Sequence, residues 1–387
     1  MIKEHRAWAE INLDAIENNM KIIRRATNKE AKVMAVVKAD AYGHGAVKVA
    51  QTMLSSGADA LAVACTDEAV QLRMAGIKVP ILILSTACPQ EAEALVDYDI
   101  ASAVFDIDSA ANLSEIALKK GKKAKVHIKL DTGMCRIGID TDSEDCIDKI
   151  KHIFKLPGIE TEGIFSHLSC ADTDKEEFTR KQIERFIHTL EKLESEGIHI
   201  PVKHIANSAA IFRYPEAHFD MVRAGIVCYG CYPSEIIGDR GLVPAMSFKA
   251  RVSRVESLKP GDCVSYGATY EVKKPIVAAT LSVGYADGYS RIFSGKTKVI
   301  IRGKRLQIIG RICMDQCMTD ASDVNNISVG DVATLFGRDG EEFISADELA
   351  DIFGTINYEI LCMVGKRVPR VYLKNGEYIS ELNYING

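Results

Sequence analysis

A series of eight short apolar segments between residues 32 and 230 constrains the fold of this chain more than any other feature. The segments are rich in β-branched residues and end in polar or glycine-containing turns, a pattern typical of buried strands. They cover residues 32–38, 60–64, 81–84, 101–105, 125–131, 163–167, 203–207 and 221–230. Amphipathic patterns between several of them predict helices over residues 45–55, 67–75, 107–119 and 175–195.

Strands that alternate with helices predict an α/β fold with a parallel sheet. Eight such strands favour a closed (β/α)8 barrel of the TIM type, which we assign to residues 12–242. A doubly wound sheet is the main alternative. It requires a glycine-rich fingerprint after the first strand, and GHGAVK at residues 43–48 matches that fingerprint only in part.

The sequence pattern changes after about residue 242. From there the chain carries alternating or β-branched runs bounded by turn sequences, with a single helix predicted over residues 346–352. This pattern predicts a C-terminal mainly-β domain over residues 243–387. The strand-like residues 1–11 are assigned to the same domain.

Composition and charge narrow the class of protein. The net charge of −5, without a dense basic run, argues against a nucleic-acid partner. The N-terminus lacks the apolar core of a signal peptide, and no apolar run is long enough to cross a bilayer, so we expect no membrane association. Eleven cysteines without a disulfide framework predict reduced, mostly buried thiols and a cytoplasmic location. Cys313 and Cys317 have no second pair nearby, so we expect no metal site.

Polar residues gather where the barrel strands end, which is where barrel enzymes carry their chemistry. They are Lys38 and Tyr42 after the first segment, Lys129 and Arg136 in and after the fifth, His167 at the sixth, Asn207 and Ser208 at the seventh, and Arg223, Gly225 and Ile226 in the eighth. Taken singly, each has an ordinary explanation: Lys38 as a solvated strand end, Ser208 as a helix N-cap. Together, a reactive amine, guanidinium groups and a helix start that can bind phosphate predict a pyridoxal phosphate site.

Nine motifs in both predicted domains resemble those of the alanine racemase family, whose members are fold-type III pyridoxal phosphate enzymes. The motifs are VVKADAYGHG, VHIKLDTGMCRIG, SHLSCAD, HIANSAA, MVRAGIVCYG, VSYGATY, VGYADGY, GRICMDQCM and INYEILCMVGKRVPR. The match runs from about residue 7 to residue 370. The resemblance implies an isomerase that interconverts L-alanine and D-alanine and supplies D-alanine for peptidoglycan. It also implies a homodimer with shared active sites.

The resemblance further implies roles for individual residues. Lys38 would hold the cofactor as a Schiff base and act as one base, and Tyr266 of the partner subunit would be the base on the opposite face of the substrate. Arg136, together with Met314 of the partner subunit, would hold the substrate carboxylate. Lys129 would carry a carbamate that pairs with Arg136. The remaining cofactor ligands would be Tyr42, Arg136, His167, Asn207, Ser208, Arg223, Gly225, Ile226 and Tyr358. The substrate-access corridor would be lined by Asp172, Tyr285, Arg291, Arg311 and Ile356. Cys135 departs from the family, where glycine is common.

Other activities of similar barrels fit the sequence less well. A non-catalytic pyridoxal phosphate carrier would lack the β domain and with it Tyr266 and Met314. A decarboxylase of the same fold type would place a carboxylate, not Arg223, against the pyridine nitrogen. A metal-dependent hydrolase using Lys129 would need an H-x-H pair, which the nine histidines do not provide. A serine or broad-specificity amino-acid racemase remains an open alternative.

Overall fold

The computed structural model describes residues 5–386. This part of the chain forms two compact units. The barrel unit contains residues 16–41 and 46–243, and the β unit contains residues 5–15, 42–45 and 244–386. Residues 12–15 and 42–45 therefore lie with the β unit, although the sequence placed them in the barrel, and residue 243 lies with the barrel unit.

The barrel unit is built on eight parallel strands. The first ten strands of the chain are β1 (Ala7–Asn12), β2 (Lys32–Val36), β3 (Ala60–Val63), β4 (Ile81–Ile83), β5 (Ala101–Val104), β6 (Ala124–Asp131), β7 (Ile139–Asp140), β8 (Ile159–Phe165), β9 (Val202–His204) and β10 (Met221–Ala224). The barrel sheet has the order β10-β2-β3-β4-β5-β6-β8-β9, and the short β7 pairs with β6. At its two ends the Asp220 N–H donates to the Lys203 carbonyl at 3.1 Å, and the Arg223 N–H donates to the Ala206 carbonyl at 3.0 Å. The sheet is therefore closed, and the predicted barrel is confirmed.

Helices connect most of the barrel strands. They are α1 (Leu13–Ala26), α2 (Lys38–Gly43), α3 (Ala46–Ser55), α4 (Thr66–Met74), α5 (Ala92–Asp97), α6 (Ile107–Lys119), α7 (Cys146–Lys155), α8 (Glu176–Ser195) and α9 (Ser208–Arg213). The four predicted helices correspond to α3, α4, α6 and α8. α5 and α9 have six residues each, too few to show a helical period in the sequence.

The β unit is dominated by one mixed sheet. Its strands after β1 are β11 (Met246–Leu258), β12 (Cys263–Val264), β13 (Tyr270–Glu271), β14 (Ile276–Leu281), β15 (Lys298–Ile301), β16 (Lys304–Ile309), β17 (Cys317–Asp320), β18 (Val332–Asp339), β19 (Glu342–Ile344), β20 (Arg370–Lys374) and β21 (Glu377–Leu382). The ten-stranded sheet has the order β19-β18-β15-β16-β17-β14-β11-β1-β20-β21, and β12 and β13 form a separate hairpin. β1 pairs antiparallel with β11 and parallel with β20. Two helices, α10 (Ala346–Phe353) and α11 (Asn357–Met363), follow β19, where the sequence predicted one.

Two expectations from the sequence are corrected by the structure. The predicted strand over residues 221–230 ends at Ala224, because Gly225 (φ −107°, ψ −108°) turns the chain into a 3-10 helix, Ile226–Tyr229. The cysteines are all free thiols, but only four are buried, namely Cys146, Cys228, Cys231 and Cys317. In the described part of the chain, no helix is long and apolar enough to span a membrane.

The packing of α8 on the barrel gives a test of the core. Phe186 on this helix is fully buried, and its ring meets the Phe219 ring edge-on with 5.2 Å between centroids. Phe186→Ala should lower the free energy of unfolding by about 3–5 kcal/mol, because it removes buried apolar surface and leaves a cavity. Phe178→Ala, on the same helix but partly exposed, should lower it by about 1 kcal/mol or less. Urea unfolding followed by circular dichroism measures both values, and equal losses would contradict this account of the core.

Candidate active site

Lys38 stands at the carboxyl end of β2 and is followed by a strained turn. The Val37 N–H donates to the Ala62 carbonyl at 2.8 Å, which extends the strand pairing to the residue before the lysine. Residues 39–42, none of them glycine, then have φ angles of 51°, 55°, 54° and 52°, so α2 is left-handed. Each such residue costs roughly 1–2 kcal/mol. Backbone strain of this kind persists only where surrounding contacts determine it, which is typical of functional sites.

The end of this turn lies in the β unit and is closely packed there. Gly43 has φ +81°, and a Cβ at this position would lie 2.6 Å from the Leu361 carbonyl oxygen. The Tyr42 ring lies 6.0 Å from the Tyr358 ring, centroid to centroid. A side chain at residue 43 would therefore collide with α11, which carries Tyr358, one of the two tyrosines predicted to bind phosphate.

Arg223 on β10 is buried and organises two histidines. Its guanidinium donates to the Ser166 carbonyl at 2.8 Å, to Nδ1 of His167 at 2.9 Å and to Nδ1 of His204 at 3.1 Å. A guanidinium can only donate, so both Nδ1 atoms accept and each neutral ring carries its proton on Nε2. Burial, followed by the charge of Arg223, lowers the pKa of His167 well below its usual value. Both rings are therefore neutral donors at physiological pH.

The hydrogen-bond chain continues across the barrel interior to His127. The Nε2–H of His204 donates to Nδ1 of His127 at 2.8 Å, and the His204 ring stacks on Phe165 with 4.8 Å between centroids. A Cβ on Gly163 would overlap the His127 ring, so glycine is required there. Burial and then Arg223 lower the pKa of His127 to about 3. The sequence analysis did not identify His127 or His204.

Lys129 lies on the same face of β6 as His127 and is also buried. Its Nζ donates to the Leu130 carbonyl at 2.5 Å and to the Ile137 carbonyl at 3.3 Å. Burial, followed by the charge of Arg223, lowers the pKa of Lys129 to about 7. Much of this amine is therefore uncharged near neutral pH, and an uncharged amine is nucleophilic. Burial and Arg136 lower the pKa of Arg223 to about 9, which still leaves it charged.

Asp131 shapes the loop that carries Arg136. Its Oδ1 accepts hydrogen bonds from the N–H groups of Gly133, Met134 and Cys135 at 2.8, 2.9 and 3.1 Å. Burial acts to raise the pKa of Asp131, but these hydrogen bonds and Lys129 lower it overall. Cys135 has φ 55°, in the left-handed region that favours glycine. The backbone angle at Cys135 therefore gives a physical reason to expect glycine at this position.

The turns after β9 and β10 present backbone N–H groups. The N-cap of α9 is Asn207, whose Oδ1 accepts from the Ala210 N–H at 3.1 Å, so the expectation of Ser208 as the cap is wrong. Ser208 is the first helical residue, and its Oγ accepts from the Gly225 N–H at 2.9 Å, which ties the two turns together. The N–H groups of Ser208 and Ala209 have no partner within the helix. Such a start suits an anion, although α9 is short.

The β unit brings Tyr266 and Met314 together on its surface. Tyr266 is 67% exposed and Met314 is 52% exposed, and both border one depression. The Tyr285 and Ala286 N–H groups donate to the Cys313 and Met314 carbonyls at 3.0 and 3.1 Å. The VGYADGY and GRICMDQCM segments thus lie side by side.

The remaining predicted residues are distributed between the two units. Asp172 lies in the barrel unit, where its carbonyl accepts from Ser234 Oγ at 2.6 Å. In the β unit, Ser265 Oγ donates to the Arg311 carbonyl at 2.6 Å, Arg291 opens the 3-10 helix Arg291–Phe293, and Ile356 is the exposed N-cap of α11. The barrel unit contains Lys38, Lys129, Arg136, His167, Asp172, Asn207, Ser208, Arg223, Gly225 and Ile226, and the β unit contains Tyr42, Tyr266, Tyr285, Arg291, Arg311, Met314, Ile356 and Tyr358.

Residues 11–233 match the model of the alanine racemase N-terminal domain, and residues 245–372 match that of the alanine racemase C-terminal domain. The chain belongs to the alanine racemase family. It is 48% identical over 380 residues to the alanine racemase of Clostridium perfringens, covering 98% of each chain. It is also 48% identical over 371 residues to the alanine racemase of Methanococcus maripaludis, covering 95% of this chain and 99% of that relative.

Solved alanine racemase structures share the fold. Alanine racemase from Clostridium difficile 630 is 40% identical with a TM-score of 0.96 and full coverage of both chains. Alanine racemase from Bacillus anthracis with bound L-Ala-P is 38% identical with a TM-score of 0.93, covering 99% of this chain and 98% of that one. The predictions of an alanine racemase, an isomerase, and of a barrel followed by a mainly-β domain are confirmed.

The buried amine of Lys129 gives a pH-dependent prediction for this racemase. The pKa of Lys129 is about 7 in the folded chain and 10.5 as an unperturbed group, so the unfolded chain binds more protons between these values. Stability relative to Lys129→Met should therefore rise with pH above about 7, by up to about 1.4 kcal/mol per pH unit.

Urea unfolding in carbon dioxide-free buffers between about pH 7 and pH 9 measures this difference. Lys125→Met is the matched control on the same strand, because Lys125 pairs with Asp99 and its pKa is raised. Its stability difference should be flat in this range. A flat difference for Lys129→Met as well would show that the amine is not desolvated.

Proposed function

We propose that this alanine racemase interconverts L-alanine and D-alanine with pyridoxal 5'-phosphate, using Lys38 and Tyr266 as bases on opposite faces of the substrate. The observation that supports the proposal most strongly is the set of groups at the carboxyl ends of β2, β9 and β10. An amine follows β2, the N–H groups that open α9 follow β9, and a buried guanidinium lies on β10. These are the groups that a phosphorylated aldehyde cofactor requires.

The residues of the barrel unit fit this cofactor. Lys38 would bind its carbonyl carbon. Ser208, Ile226 and Gly225, whose N–H donates to Ser208 Oγ in this structure, would surround its phosphate, with Asn207 holding the helix start. Tyr42 and Tyr358 are proposed as further phosphate ligands. Bound in this way, the cofactor withdraws electrons and makes the Cα proton of an amino acid acidic.

Arg223 would face the pyridine nitrogen of the cofactor. A guanidinium does not give up its proton, so a nitrogen that accepts from Arg223 stays unprotonated. This restricts how far electrons are withdrawn, which favours return of the proton to Cα over transamination. Arg136 would contact the phenolic oxygen of the cofactor and the substrate carboxylate.

Tyr266 and His167 would act together on the second face of the substrate. Because Arg223 holds Nδ1 of His167, the Nε2–H is left to donate. A donor of this kind stabilises a phenolate more than a phenol, so His167 would help Tyr266 to accept the Cα proton. Lys38 would return or remove the proton on the other face.

Exposure of Tyr266 and Met314 supports a homodimer with shared sites. Large side chains that are 67% and 52% exposed on one face fit residues that complete the site of a partner subunit. Met314 of the partner subunit would add to the carboxylate site, and the corridor residues Asp172, Tyr285, Arg291, Arg311 and Ile356 would control access to it.

Tyr358 bears on the choice of substrate, and Lys129 bears on a carbamate in the site. The bulky phenol of Tyr358 is expected to leave room for a methyl side chain, so we propose alanine ahead of serine. The uncharged Lys129 amine supports a carbamate at this position, which would pair with Arg136. We propose a cytoplasmic enzyme that supplies D-alanine for peptidoglycan. A broad-specificity racemase would instead use serine as well as alanine.

Single replacements test the two bases. Lys38→Ala should abolish the visible absorption band of lysine-bound pyridoxal phosphate, because no other amine would take its place. Tyr266→Phe should keep the band but slow racemisation by roughly 10²–10⁴-fold, the usual contribution of a general base. Solvent deuterium incorporation should fall more from one enantiomer than from the other. Tyr270→Phe, nearby in the same unit, should leave the rate unchanged, and comparable kcat/KM values for alanine and serine would contradict the substrate assignment.

Mixing Lys38→Ala with Tyr266→Phe tests whether each active site is shared between two subunits. In a mixed dimer, the Lys38 of the Tyr266→Phe subunit meets the Tyr266 of the Lys38→Ala subunit, so one of the two sites is intact. Refolding the variants together in equal amounts should restore about a quarter of the wild-type activity, since half of the dimers are mixed. No restored activity would show that Lys38 and Tyr266 of one site come from the same chain.

A further inference from the structure

Glu68, in the first turn of α4, clamps the chain next to Lys38. Its Oε1 accepts from the Ala39 N–H at 2.6 Å, and its Oε2 accepts from the Ala64 N–H at 2.8 Å. Ala39 directly follows Lys38, and Ala64 directly follows β3. One carboxylate therefore joins the two turns that leave neighbouring barrel strands.

An acidic residue in the first turn of a helix usually needs no special explanation, because it interacts favourably with the helix dipole. Asp67, beside Glu68 in the same turn, is exposed and fits that description. Glu68 differs because both of its oxygens accept from backbone N–H groups outside the body of α4. The Glu68 carboxylate is therefore bonded to the turns that follow β2 and β3 rather than to the N–H groups of its own helix.

The clamp acts where the backbone is strained. Ala39 is the first of the four non-glycine residues with φ between 51° and 55°. A hydrogen bond to a carboxylate is shorter and stronger than one to a neutral acceptor. The bond to Ala39 fixes the peptide plane between Lys38 and Ala39, and that plane sets the ψ angle of Lys38. Glu68 thereby determines the direction in which the lysine side chain leaves the backbone.

We infer that Glu68 is a positioning residue for Lys38: its carboxylate holds the left-handed turn and so keeps the amine aligned with both the cofactor and the substrate Cα. The inference rests on the proposed role of Lys38. Glu68 itself has no assigned contact with the substrate. Its loss is therefore expected to affect the geometry of the amine more than the binding of alanine.

Glu68→Gln tests this inference because the side chain keeps its size but loses one acceptor, and its NH2 group then faces a backbone N–H. Asp67→Asn is the matched control, since it removes the same charge from the same helix turn. In Glu68→Gln, kcat should fall roughly 10–100-fold, as expected for a displaced catalytic group. KM for alanine should stay within about threefold, because binding is not uniformly weakened.

Two further measurements do not depend on turnover. Amide hydrogen exchange of the peptide covering residues 39–45 should become faster in Glu68→Gln, with or without cofactor. The visible circular dichroism of the lysine-bound cofactor, per molecule bound, should decrease because its orientation is less fixed. Asp67→Asn should match the wild type in both measurements.

A second replacement separates positioning from general destabilisation. Ala39 is exposed, and glycine adopts a positive φ without strain, so Ala39→Gly relaxes the need for a clamp. In the Glu68→Gln background it should recover roughly tenfold of the lost kcat and restore the visible circular dichroism.

Failure of this inference is distinguishable from failure of the proposed function. If Glu68→Gln behaves like Asp67→Asn in kcat, exchange and circular dichroism, or if Ala39→Gly rescues nothing, Glu68 does not position Lys38. If the wild-type chain shows no visible cofactor band and no racemisation, the proposed function is wrong. The exchange measurement on the cofactor-free chain then still tests whether Glu68 holds the turn.

Discussion

The buried guanidinium of Arg223 is the contact on which the end of the barrel depends. It donates to the carbonyls of Ser166, His204 and Ile205 at 2.8, 3.2 and 3.3 Å, so it joins β10 to the carboxyl ends of β8 and β9. The same group fixes the tautomers of His167 and His204, because it can only donate. A smaller residue would leave several buried carbonyls without a donor, which is costly in a closed barrel. Both the hydrogen bonds of the barrel end and the proposed chemistry therefore require arginine at residue 223.

Carboxylates hold strained backbone at two places next to proposed catalytic groups. Glu68 accepts from the N–H of Ala39, where the left-handed turn after Lys38 begins. Asp131 accepts from the N–H of Cys135, a left-handed residue that directly precedes Arg136. In both cases the acceptor is charged. Lys38 directly precedes the strained residue Ala39, and Arg136 directly follows the strained residue Cys135. The chain thus fixes its reactive side chains through the backbone as well as through side-chain contacts.

The sequence predicted the barrel and most strand-end residues, because buried β-branched runs identify strands and barrel strands point their carboxyl ends to one face. It did not identify His127. Residues 125, 127, 129 and 131 alternate with apolar ones, which indicates one polar face of β6 but not whether that face meets solvent or the barrel interior. Only closure of the sheet decides this. Glu68 was not identifiable for a related reason, since only the pairing of β2 with β3 brings the Ala39 N–H near its carboxylate.

The electrostatics of the barrel end explain why it should bind anions. After burial, Arg223, Arg136, Lys129 and Lys38 all act on His167 to lower its pKa, so four basic side chains lie within electrostatic reach of one ring. In the described part of the barrel unit no carboxylate is fully buried to balance them, and Asp131 is only partly buried. Without bound anions these groups repel one another, and this repulsion adds to burial, the main cause, in lowering the pKa of Lys129. A phosphate, a substrate carboxylate and a carbamate on Lys129 each add negative charge, so the proposed ligands would reduce the repulsion that the bare barrel end contains.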